Sequence, residues 1–96
     1  MWRDMALQLR KSATSATSNY GAATVARSHA DFTSKLGVAL EETDESWRWL
    51  RLLRDTSEAA EPGKTLTNLI EEGRQLTAIL GAGHMTAKRN RKAREI

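Results

Sequence analysis

Residues 28–55 read SHADFTSKLGVALEETDESWRWLRLLRD. The Ser28 hydroxyl, followed three residues later by the Asp31 carboxylate, is the pattern that caps a helix start. Past it, Phe32, Leu36, Ala39, Leu40, Thr43, Trp47, Leu50 and Leu53 recur at helical spacing and fall on one arc. The opposite side carries Glu41, Asp44, Arg48, Arg51 and Asp55. Asp44 with Arg48, and Arg51 with Asp55, stand four residues apart, and such pairs stabilise a helix by ~0.3–0.5 kcal/mol each. This segment predicts an amphipathic helix with a solvated charged face. A smaller stripe, Val38, Trp49 and Leu52, lies away from the main arc. A surface helix needs one apolar face. Two faces imply two packing partners, supplied by other helices of the chain or by an oligomer interface. At ~100° per residue, Trp47 and Trp49 point roughly 160° apart and cannot share a seam.

Working toward the N-terminus, Trp2, Met5, Ala6, Leu9, Ala13, Ala16, Tyr20 and Ala23 form a narrow, alanine-rich stripe. The spacing predicts a helix over residues 2–27, although Ser12 to Asn19 is intrinsically a poor helix former. Gly21 is its weak point and a candidate bend. Toward the C-terminus, 58–64 breaks the pattern, and Pro62-Gly63 signals a turn. Leu66, Leu69, Ile70, Gly73, Leu76, Thr77, Leu80 and His84 then predict a third helix over 65–87, with fraying from Gly81 onward. No repeat and no strand is evident. An all-α, antiparallel, up-and-down bundle of three helices follows.

Ninety-six residues, 28% charged and 40% apolar, suit one soluble globular domain. No cysteine is present, which excludes disulfides, thiolate metal sites and cysteine nucleophiles. No apolar run approaches the ~20 residues of a membrane helix. Charges at Arg3, Asp4 and Arg10 argue against a secretory signal, so the expected compartment is the cytoplasm, with no membrane partner. The net charge of +3 is unevenly placed. Residues 1–87 hold ten basic and eleven acidic groups, whereas 88–96 hold Lys88, Arg89, Arg91, Lys92 and Arg94 against Glu95. The expected division is a bundle over 1–87 and a basic tail over 88–96, the tail being the candidate polyanion contact.

Read in order, Gln8-Leu9-Arg10-Lys11-Ser12-Ala13-Thr14-Ser15, Asn19-Tyr20, Ala26-Arg27-Ser28, Asp31-Phe32 with Lys35-Leu36-Gly37, and Leu40-Glu41-Glu42 with Asp44-Glu45-Ser46 and Trp49-Leu50 form a set of motifs. Leu69-Ile70-Glu71-Glu72 and Leu76 with Ala78-Ile79 extend it. The set resembles the four-helix bundle proteins encoded in 23S rRNA intervening sequences, over roughly residues 7–88. The resemblance implies an up-and-down bundle that assembles into a ring, usually of five subunits, with no known enzymatic activity. It also implies kinship to the accessory proteins of diversity-generating retroelements, which contact a reverse transcriptase and nucleic acid. The corresponding expectations are a homo-oligomer, RNA or DNA, and a reverse-transcriptase-like or other helical protein partner. Members normally carry one more amphipathic helix ahead of the Gln8-Leu9-Arg10 segment, where this chain has seven residues. Three helices would then have to close a core built for four, or another chain completes it.

Nothing in the sequence carries catalysis. His29 and His84 have no second ligand at metal spacing; His84 continues an apolar stripe, and His29, just inside a cap, is expected to face solvent. Glu41, Glu42 and Glu45 lack the concave site that acid–base chemistry needs. No Glu-x-x-His pair, phosphate loop or dinucleotide motif occurs, so no metal and no cofactor is expected. Glu42 borders the apolar arc and is expected at a bundle or subunit boundary. Val38, Glu42, Trp49 and Leu52 are therefore the candidate interface residues. The tail cations have two readings: favourable charges at a helix C-terminus, worth ~0.3–1 kcal/mol, or an arm that holds nucleic acid without reading sequence. The expected function is a non-enzymatic oligomeric scaffold or adaptor with weak nucleic-acid binding. The alternative is a structural module whose groove binds a partner helix.

Overall fold

The computed structural model describes residues 2–56 and 63–94, which form three helices: α1 (Trp2–Thr24), α2 (His29–Thr56) and α3 (Lys64–Arg94). The expected break at 58–62, including Pro62, lies outside the described residues. The molecule is all-α, and each helix runs antiparallel to the next. Met5 meets Thr56 and Ser12 meets Ser46, so α1 descends as α2 ascends. Gly73 faces Trp47 and Gly37 faces His84, which reverses α3 against α2.

α1 stays helical through its Ser/Thr-rich middle, where side chains bond to the helix's own backbone. Thr14 donates to the Arg10 carbonyl at 2.7 Å and Thr17 to that of Ala13 at 2.9 Å; the Asn19 amide donates to that of Ser15 at 2.9 Å. Such back-bonding satisfies the polar groups without water. Gly21 does not end the helix, which runs on to Thr24. There the chain tightens, with the Val25 and Ala26 amides donating to the Ala22 and Ala23 carbonyls. This closure ends α1 before the expected Arg27.

α2 begins as its sequence suggests. The Asp31 amide donates to the Ser28 hydroxyl at 3.0 Å, and the Arg27 amide reaches the Asp31 carboxylate. Of the two expected ion pairs, Asp44–Arg48 is present at 2.8 Å. Arg51 does not pair with Asp55. Its guanidinium lies 4.0 Å from the centre of the Trp47 ring, held there by the aromatic face, and Asp55 accepts from the adjacent Arg54 at 2.9 Å.

α2 is the middle of a layer, not one corner of a closed triangle. It packs against α1 on one side and α3 on the other, while no Cα of α1 comes within 8 Å of one of α3. The layer measures 55 × 20 × 16 Å. Its radius of gyration is 15.7 Å, against about 12.5 Å for a compact domain of this length. The buried apolar set is thin: Met5, Ala23, Leu36, Ala39, Leu50 and Ala87. Three of the six are alanines, so the helices approach closely but bury few methylenes. The α1–α2 seam is completed by a hydroxyl pair, Ser12 Oγ and Ser46 Oγ at 2.8 Å. Ser12 is buried on this seam, whereas Ala13 and Tyr20 from the expected stripe are exposed. The face of α1 turned to α2 is thus rotated from the centre of its apolar stripe.

α3 continues past the expected end at Ala87, through Lys88, as far as Arg94. Over its described residues the basic tail is a continuation of α3, with no break between the two.

Candidate functional site

Because α1 and α3 flank α2 without meeting, a groove of about 580 Å³ opens above α2. Thr43, Ser46, Trp47 and Leu50 form its floor. Leu9, Ala13, Ala16 and Tyr20 line the α1 wall, and Leu69, Leu76, Ile79 and Leu80 the α3 wall. The floor hydroxyls are already committed: Thr43 donates to the Ala39 carbonyl at 2.8 Å and Ser46 to that of Glu42 at 2.9 Å. The floor therefore accepts apolar atoms without orphaning a donor. Glu72 is the one carboxylate of the lining.

Trp47 closes the α2–α3 side of the floor. A methyl carbon at Gly73 would lie 3.2 Å from Trp47 Cδ1, so the ring rests directly on the α3 backbone. Trp47 Nε1 and Arg51 Nε are buried and lack a hydrogen-bond partner. Each forgoes its water, at a cost of ~1–3 kcal/mol for the neutral indole donor and more for the charged guanidinium, offset in part by the stacking of the guanidinium on the indole.

The residues expected at an interface lie elsewhere. At ~100° per residue, Val38, Trp49 and Leu52 sit roughly 120–180° around α2 from Thr43, on the back of the layer. Val38 and Leu52 are exposed there, and Trp49 is half-buried with its Nε1 donating to Glu45 at 3.2 Å. Glu42 is also half-buried. The groove on the other face is lined mainly by residues of the three expected apolar stripes, together with Thr17, Ser46, Glu72 and Ile79, which lie outside them. The apolar arc of α3 held the clue: from Ile79 to Ile70 it spans about 180°, wider than contact with one neighbour requires.

The cations form the second candidate site. Lys88, Arg89, Arg91 and Lys92 are exposed on the last turns of α3, and the helix extends to Arg94. Helical rotation places Lys88, Arg89, Arg91 and Lys92 within about 160° of one another, on one side of α3. Just before them, the Ala87 carbonyl accepts from His29 Nε2 at 2.8 Å, so His29 ties the helix end to α2 and does not face solvent as expected. His84 packs edge-on against Gly37: a methyl carbon there would lie 2.8 Å from its Nε2.

Elsewhere the shifted groups are exposed helix pairs. The Lys35 ammonium, by its hydrogen bond, holds the Asp31 carboxyl below the usual carboxylate range, aided by the Arg27 amide. Arg74 does the same for Glu71 through a contact of 2.6 Å, and its own pKa is raised in turn. Neither carboxylate lies in a concave site. Among the described residues no group of three or more His, Asp or Glu is placed to hold a metal ion. No helix among them is long and apolar enough to cross a membrane. No protein-family model matches the chain, and neither a curated protein nor a solved structure does.

Proposed function

We propose that this chain is a non-enzymatic scaffold that works as an oligomer and holds RNA or DNA weakly, without reading sequence, through Lys88, Arg89, Arg91, Lys92 and Arg94. The observation that carries the reading is the apolar surface left open by a layer of three helices. Large apolar side chains such as Leu69, Leu76 and Ile79 stand in solvent around the groove, and Val38 and Leu52 on the back. A soluble monomer seldom leaves contiguous apolar patches beyond a few hundred Å² uncovered. The resemblance to the bundle proteins of 23S rRNA intervening sequences supports self-association as well. Val38, Glu42, Trp49 and Leu52 are the interface proposed for the back of the layer.

Cations gathered near a helix end suit the nucleic-acid part of this role. Phosphate contacts need charge, not a shaped face, and supply affinity without sequence information. Retention of RNA on a filter tests it. With five phosphate contacts, log affinity should fall against log salt with a slope of roughly −3.5 to −4.5, and deletion of residues 88–96 should abolish retention while leaving the oligomer intact. Undiminished retention after the deletion rejects the cationic site.

The groove favours a second reading, a structural module that takes the helix of a different protein. Its length along α1, from Leu9 to Tyr20, is about 16 Å at ~1.5 Å per residue, or three helical turns. Light scattering separates the two: a monomer that binds an apolar helical peptide supports the second reading, and a stable homo-oligomer the first.

A further inference from the structure

We infer that the end of α3 from Lys88 to Ala93 is a prong that seats in the major groove of double-helical B-form DNA. The inference rests on the cationic site proposed above and deepens it, by naming one polyanion out of the several that charge alone would hold.

Exposure gives the first argument. Ala87 is buried, and every residue from Lys88 to Ala93 is exposed. Consecutive residues over more than one turn cover the whole circumference of a helix, so no side of this end is buried against the layer. α2 starts at His29, whose Nε2 holds the Ala87 carbonyl. The exposed stretch is about 9 Å long and about 10–12 Å across with its side chains. The major groove of B-DNA is about 8.5 Å deep and about 12 Å wide and admits a helix, whereas that of A-form RNA is deep and narrow.

The arrangement of charge gives the second. At ~100° per residue, Arg91 and Arg89 mark the two edges of a fan of about 160°, with Lys88 and Lys92 between them. A groove has two phosphate walls and a floor. Arginines at opposite edges of the fan reach opposite walls, and their guanidinium forks suit phosphate. The lysines between them face a floor on which every base pair presents acceptors. Asn90 stands opposite the middle of the fan. A single row of phosphates would meet one edge of the fan and leave the other in water.

The rest of the layer favours the same approach. α1 ends, α2 starts and α3 ends at one end of it. Residues 5–40 hold one carboxylate, Asp31, which is paired with Lys35, and residues 73–94 hold none. The carboxylates of α2 from Glu41 onward, with Glu71 and Glu72 of α3, lie from the middle of the layer toward its other end. This lengthwise polarity steers a polyanion to the prong. Proteins that hold single strands add aromatic rings on which the bases stack. Residues 73–94 contain no Phe, Tyr or Trp.

The test is fluorescence anisotropy with the full 96-residue chain at one fixed salt concentration. Three labelled probes carry equal numbers of phosphates: a short DNA duplex, an RNA duplex of the same sequence, and a single DNA strand. The DNA duplex should bind about tenfold more tightly than either of the others, because the helix presents its cations already in place. Asn90→Pro keeps every charge but breaks the helix within the prong. It should weaken binding of the DNA duplex about tenfold and leave that of the single strand unchanged. Asn90→Ala removes the same side chain, keeps the helix and should leave all three unchanged. Circular dichroism checks that the layer stays folded in both variants. Equal affinity for the three probes, or tighter binding of the RNA duplex or the single strand, overturns the inference and leaves the cationic scaffold standing. So does duplex binding that Asn90→Pro leaves intact, or that Asn90→Ala weakens as much. Binding of none of the probes overturns both.

Discussion

Ser28 and Asp31 show how much a few atoms at a helix start can decide. The Ser28 hydroxyl satisfies the Asp31 amide, one of four that the first turn of α2 would otherwise leave unpaired. Ser28→Ala should cost about 1 kcal/mol, which urea denaturation would show as a lower midpoint with unchanged slope. The Asp31 carboxyl adds a pH dependence. Lys35 and the Arg27 amide depress its folded pKa below the ordinary ~3.9. Its contribution is therefore present above pH ~4 and lost as pH falls through the folded value. Asp31→Asn should flatten this part of the acid limb when midpoints are measured from pH 6 down to about 2. The cap was legible in the sequence because it is local, as was the Asp44–Arg48 pair. Glycine contacts were not, because they depend on what another helix brings. Gly21 has open space where a methyl would go, so Gly21→Ala should stabilise by about 0.5–1 kcal/mol. Gly37→Ala places a carbon 2.8 Å from His84 Nε2, so the imidazole must move and the helix-propensity gain should be cancelled or reversed. Thermal melts of the two variants should shift in opposite directions or, at the least, by clearly unequal amounts.

The elements themselves were readable from periodicity, but the ends and faces of two of them were not. α3 was expected to stop at Ala87 because three glycines lower its propensity, yet it reaches Arg94. Tertiary contacts override that deficit. Trp47 rests on Gly73 and His29 holds the Ala87 carbonyl, so Gly73 admits close packing where propensity alone reads weakness, whereas Gly83 has open space where a methyl would go. α1 was misjudged in rotation for a related reason. Ser12 is buried only because Ser46 waits on the facing helix, and no single-helix pattern reveals such a pairing. The same reasoning makes His29 the anchor of the cationic end. Replacing it with alanine removes a half-buried hydrogen bond worth ~0.5–1.5 kcal/mol. Amide exchange from Ala87 to Lys92 should then accelerate severalfold while exchange in α1 stays unchanged, since no Cα of α1 comes within 8 Å of one of α3. Equal acceleration across all three helices would mean that the layer opens as one unit and that His29 supports global stability instead.

At the scale of the molecule, the count of three helices was legible and their failure to close was foreshadowed by apolar stripes in excess of need. Which face stays open was not legible, because it depends on α2 holding α1 and α3 apart. The consequence concerns stability more than shape. A core of three alanines, two leucines and one methionine is small for a chain of 96 residues. An oligomer that covers the groove would bury Leu69, Leu76 and Ile79, side chains worth ~1.5–3 kcal/mol each when covered in full. Folding and association are then linked, and stability must depend on protein concentration by mass action. Each tenfold increase in concentration should raise the melting temperature by a few degrees. Leu76→Glu should abolish that dependence and melt near the low-concentration limit of the wild type at every concentration. A wild-type melting temperature that stays constant over two decades of concentration would show that the layer folds without a neighbour. Its thin core would then be sufficient, and the open groove would be left for the helix of a different protein.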